Sequence, residues 1–157
     1  MIPVVTTGTS FRGCVAYMAH DKRREGAAGT PTSERVAWTE TRNLPTDDVD
    51  RAWRIMAFTA THQKELKAAA GERLTGQRCR KPVYSLTLAW SPSQKPSKQE
   101  MLRAVDEALK TLHMEGRQAV VFCHTDEPQP HVHAVVNRIC HLTPRAAETQ
   151  RAWTKLP

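Results

Sequence analysis

The stretch "HTDEPQPHVH", residues 124–133, puts three histidines and one aspartate within ten residues. Imidazole and carboxylate are metal ligands, and His131 and His133 are spaced i, i+2, which along a strand sends both side chains to one face. Their neighbours "QAVVFC" and "HVHAVVNRI" are β-branched runs joined by the proline-containing segment "HTDEPQP", the pattern of two antiparallel strands and a connection. His124, at the end of the first strand, then lies across from His131 and His133, and three imidazoles converge. A three-histidine site keeps positions open and is catalytic in type, whereas closed structural sites take four protein ligands. Imidazole suits several transition metals, so ligand type alone does not choose the ion. Asp126 fits the role of a carboxylate that orients a histidine. Cys123 and Cys140 flank histidines but alternate to the other face.

The elements that must position this hairpin can be traced along the chain. Ser10 is a predicted N-cap for a short helix with Phe11, Val15 and Met18 at helical spacing, which also carries Tyr17. Residues 25–34, "EGAAGTPTSE", read as a loop. "RVAWTETRNL" is a predicted strand, and Thr46 a predicted N-cap for one long helix ending before Gly71, with Val49, Trp53, Met56 and Ala60 as its apolar stripe. "VYSLTLAW" alternates Tyr84, Leu86, Leu88 and Trp90 with smaller or more polar residues, a strand with one strongly apolar face. Ser97 and Glu100 form a capping box for a helix reaching about His113. The predicted order is α, β, α, β, α, β, β: an α+β fold, an antiparallel sheet flanked by helices.

The 157 residues suit one domain. Lys and Arg number 23 against 16 Asp and Glu, a formal charge of +7 that favours a polyanionic partner, nucleic acid first among them. Two basic clusters, Arg12 with Lys22, Arg23 and Arg24, and Arg78 with Arg80 and Lys81, are candidate phosphate contacts; Arg138, at the end of the histidine strand, is another. The four cysteines fit neither a zinc pattern nor a disulfide scaffold. With no secretory-type start and no membrane-length apolar run, a cytoplasmic location is expected.

"HTDEPQPHVHAVVNR" resembles the third motif of DNA relaxases of the MobA and VirD type, and "HVH" the His-hydrophobe-His signature of the HUH endonucleases. "SFRGCVAYMAHDK" resembles the N-terminal motif that carries their nucleophilic tyrosine, and "VAWTETRNL" and "YSLTLAWSP" resemble the segments between. The resemblance spans most of residues 8–140, with the tyrosine before the histidines, as in relaxases. The family usually continues past the point matched by "RAWTKLP", so residues 1–157 read as a single relaxase domain, either a piece of a longer protein or a naturally short relative.

The resemblance implies an HUH relaxase-like sandwich and site- and strand-specific nicking of DNA at an origin of transfer. Tyr17 would be the nucleophile, with Tyr84 the other tyrosine; Asp126 would complete the catalytic set. His124, His131 and His133 would hold a divalent ion, Mg or Mn first and Zn also compatible. A covalent 5′-phosphotyrosine would initiate conjugative transfer or mobilization of a plasmid or integrative element. Implied partners are single-stranded DNA, relaxosome accessory proteins and a type IV secretion coupling protein, and relatives travel with the DNA into a recipient cell. Two other readings of the residues are a metal-dependent nuclease using activated water and a non-catalytic DNA-binding accessory module with a structural metal.

Overall fold

Five strands and four helices alternate along the chain: β1 (Ile2–Gly8), α1 (Phe11–Ala19), β2 (Val36–Arg42), α2 (Val49–Thr61), α3 (Gln63–Ala69), β3 (Val83–Ala89), α4 (Lys98–Thr111), β4 (Ala119–His124) and β5 (His131–Asn137). They come from a computed structural model that describes residues 1–20, 33–149, 154 and 156. The strands form one open antiparallel sheet in the order β1-β3-β5-β4-β2, so the expected α+β class is found.

Alternation along the three inner strands feeds two separate apolar layers. Tyr84, Leu86, Leu88, Val121, Cys123, Val132 and Ala134 face α4, meeting Met101, Val105 and Leu109. Val83, Val120, Phe122 and Val135 face the other way, onto Phe11 and Val15 of α1 and Met56 of α2. Helices cover both faces, which is why β3 is buried along both sides rather than on the single apolar side expected. The edge strand β2 is tied to α4 by the Arg42–Asp106 pair at 2.8 Å and by Lys98 with Glu40.

Capping chemistry sets the helix starts. Ser10 Oγ accepts from Gly13 N at 3.0 Å, and Ser97 and Glu100 complete the capping box, both as expected. The second helix departs from expectation twice. Asp48, not Thr46, caps it, accepting from the backbone of Asp50 and Arg51, while Thr46 Oγ1 accepts from Asp48 N one turn earlier. The long helix is also two, because it breaks at His62, and Gln63 turns inward.

β1 was not anticipated. Its residues alternate without a strongly apolar face, and it is an edge strand with Ile2 and Val4 68% and 55% exposed. Its register, Val4 to Thr87 and Gly8 to Val83, starts α1 at one end of the sheet and runs it back toward the other.

Candidate active site

The three histidines meet at the end of the sheet where α1 finishes. His124 and His131 are direct partners across the β4–β5 pair, and Phe122 opposes His133, so all three share the α1 face. Ring centroids lie 5.5 Å apart for His124–His131, 4.5 Å for His124–His133 and 5.1 Å for His131–His133. One ligand nitrogen from each lies within 4.8 Å of the others, near the roughly 3 to 4 Å spread of ligands held at about 2 Å from one ion.

Each ring is anchored through its other nitrogen. His131 Nδ1 donates to the Gln129 carbonyl at 2.8 Å, and His124 Nε2 to the Met18 carbonyl at 2.7 Å. A carbonyl only accepts, so these bonds leave a lone pair on His131 Nε2 and on His124 Nδ1. His133 Nδ1 bonds Thr87 Oγ1 at 2.8 Å, across the β3–β5 pair. Burial disfavours the charged ring of His124, and of His133, whose pKa it pushes down to about 3, with the neighbouring histidines adding to the effect. A metal binds the imidazole lone pair, and the lone pairs left on His131 Nε2 and His124 Nδ1 beside His133 fit the residues to a divalent ion.

A pH dependence follows for the metal-free protein. His133 binds a proton in the unfolded chain below about pH 6.5 but not in the folded one until near pH 3. Its contribution to stability is therefore present above pH 6.5 and lost as pH falls through that window. In EDTA the melting temperature should fall between pH 7 and pH 5 more steeply in the wild type than in His133→Ala; parallel curves would show that His133 does not carry the effect.

Tyr17, 61% exposed on the last turns of α1, lines the same cavity of about 200 Å³ as the three histidines and Asp126. Tyr84 is 1% exposed and lies on the α4 side, with the sheet between it and the histidines, so it is a core residue. Asp126 Oδ1 is 3.8 Å from His131 Nε2, and Oδ2 is 3.7 Å from Arg35. The carboxylate thus stands on the lone-pair side of His131, while the Gln129 carbonyl occupies the orienting position.

Arg35 was missed in the sequence. It is 7% exposed, donates to the Tyr17 carbonyl and places its guanidinium 5.5 Å from the centre of the Tyr17 ring. Its own carbonyl accepts from Thr125 N at 2.8 Å. One buried cation thereby links the tyrosine helix, the start of β2 and the loop carrying Asp126. Thr87 was also missed; only the β3–β5 register reveals it.

Of the expected DNA contacts, Arg12, Arg78, Arg80 and Lys81 are exposed, while Lys22, Arg23 and Arg24 lie outside the described residues. Arg138 serves the fold. Its guanidinium donates to the carbonyls of Lys81 at 3.0 Å and Ala147 at 2.8 and 3.1 Å.

Fold and site together define an open-sheet α+β domain with a three-histidine cluster of the open-coordination type. The family model described as "Relaxase: MobA/VirD2-like, nuclease domain" matches residues 19–156, and the chain belongs to this family. Membership makes it a relaxase nuclease domain, of the class that nicks DNA in conjugative transfer. The match begins two residues after Tyr17. A solved chain described under "Molecular Basis of Vancomycin Resistance Transfer in Staphylococcus aureus" is 12% identical, with a TM-score of 0.48 over 87% of this chain and 70% of its own. No curated protein matches. No helix among the described residues is long and apolar enough to cross a membrane.

Proposed function

We propose that residues 1–157 act as one domain that cuts a single DNA strand at an origin of transfer by transesterification onto Tyr17. The observation that carries this reading is the shared cavity, which an exposed tyrosine lines together with three hydrogen-bonded imidazoles. His124, His131 and His133 would hold a divalent ion, which supplies polarisation of the scissile phosphoryl group and offsets its transition-state charge.

The protein's own part is positioning and proton handling. Tyr17 Oη forms a bond to phosphorus as the bond from phosphorus to the 3′ oxygen breaks; the phenolic proton is given up, and the departing oxygen takes one. One phosphoester is exchanged for another, so rejoining needs no ATP. Arg35 holds the end of α1 through the Tyr17 carbonyl and brings a positive charge beside the ring, where it suits an incoming phosphate. Asp126 pairs with that guanidinium.

Arg35→Gln should therefore slow adduct formation by roughly 10- to 100-fold, the scale of a misplaced reacting group, with metal affinity near that of the wild type. An unchanged rate would remove Arg35 from the site.

The direct test is a denaturing gel of protein incubated with Mn²⁺ or Mg²⁺ and single-stranded oligonucleotides tiled across the DNA flanking its gene. A slow-migrating adduct abolished by EDTA is expected. Cleavage with free ends would instead indicate an activated water, and binding without cleavage at any tile an accessory module. Relaxosome proteins and a type IV coupling protein are the proposed partners, acting in the cytoplasm.

A further inference from the structure

The helix that carries Tyr17 ends without a cap of its own. No glycine follows it, His20 leaves in extended backbone, and the last turn holds no basic residue. The final carbonyls of a helix have no intrahelical donor. His20 N makes the last bond of this kind, to the Ala16 carbonyl at 3.2 Å. Among the described residues, the next two carbonyls are served from across the fold: Arg35 donates to Tyr17 and His124 Nε2 donates to Met18 at 2.7 Å.

Those two bonds govern where the tyrosine points. Phe11, Val15 and Met18 are buried and seat the body of α1. Tyr17 lies off that face and is 61% exposed, so packing holds its ring loosely. Its aim is set by the backbone of the last turn, where a misplacement of about 1 Å can cost on the order of 100-fold in rate.

His124 is the one residue that belongs both to the ligand cluster and to this helix end. The Met18 carbonyl can only accept, so Nε2 carries the hydrogen and Nδ1 keeps its lone pair toward His131 and His133. An imidazole that gives this lone pair to a cation carries more positive charge, and its N–H becomes a stronger donor. The coupling runs both ways, because whatever factor an ion adds to the hold on α1, the docked helix adds to the affinity for the ion.

We propose that His124 is the positioning residue of the nucleophile: Nε2 fixes the end of α1, and filling of the ligand site through Nδ1 tightens that hold on Tyr17. Its consequence for cutting rests on Tyr17 being the nucleophile; the anchor itself does not. A domain without its ion would then lack more than a Lewis acid, since its tyrosine would also be loosely presented.

The test is amide hydrogen exchange at residues 18–20, followed by mass spectrometry in EDTA and in saturating Mn²⁺, with the amides of α4 as reference. In the wild type Mn²⁺ should slow exchange at least about twofold, since a charge-assisted bond is roughly twice as strong as a neutral one. In EDTA, His124→Ala should speed exchange there roughly three- to tenfold, the equilibrium equivalent of one net hydrogen bond. His131→Ala removes a ring bonded to Gln129 instead and should match the wild type in EDTA. His124→Gln places an amide N–H near the Nε2 position without a ligand nitrogen, so it should restore protection in EDTA but not the response to Mn²⁺. Wild-type exchange in His124→Ala, equal acceleration in His131→Ala, or a wild-type helix end indifferent to Mn²⁺ would overturn the proposal. If His124→Ala does not fold, the glutamine variant and the Mn²⁺ response still decide it. Exchange is read without DNA, so the two readings fail separately. A protected, Mn²⁺-responsive helix end with no adduct removes only the nicking; an adduct with unaltered exchange in His124→Ala removes only the anchor.

Discussion

Tyr17→Phe is expected to abolish the covalent protein–DNA adduct, lowering its rate by on the order of 10⁴-fold or more, the scale on which removing a nucleophile acts. Single-strand binding should stay within about twofold, because one hydroxyl is lost from a ring that is 61% exposed. For the same reason stability should change by less than about 0.5 kcal/mol. An undiminished adduct in this variant would sink the assignment of the nucleophile. Tyr84 could not take over without inverting the sheet, since its ring lies on the α4 face.

His131→Ala should lower affinity for Mn²⁺ by at least about 100-fold, the upper end of what even outlying partners of a metal site contribute, and nicking should fall with it. Calorimetric titration gives the first quantity and the gel assay the second. The ring is buried, so a melting curve in EDTA is needed to show that the variant is folded. Wild-type metal affinity in a folded variant would count against the three-histidine site; normal affinity with lost nicking would recast His131 as a phosphate contact.

The histidine cluster was legible because its three members sit on two adjacent strands with little chain between them. Alternation and a hairpin are local rules, and they suffice for His124, His131 and His133. Ser10 and the Ser97–Glu100 box were legible for the same reason. β1 was not, because an edge strand that leaves Ile2 and Val4 exposed has no apolar rhythm to detect. Nor was the break at His62: helical spacing continues through it, and what ends α2 is the long-range bond from Gln63 to Cys79. Arg35 and Thr87 reach the site only through tertiary pairing, the one from the start of β2 and the other through strand register.

The strand order has a consequence for how the protein is made. The first strands to emerge from the ribosome, β1 and β2, are the two outer edges of the finished sheet, and the last, β5, is its centre. A growing chain that has not reached Asn137 has nothing to bond β3 to β4, so its strands can form only the two separate pairs β1–β3 and β2–β4. The tyrosine is therefore synthesised long before any scaffold exists to aim it. Assembly waits on non-local pairing, the slow step in sheet formation. A chain that stops before His131 would lack two of the three imidazoles and the middle strand, so the histidine cluster forms only once β5 has been made.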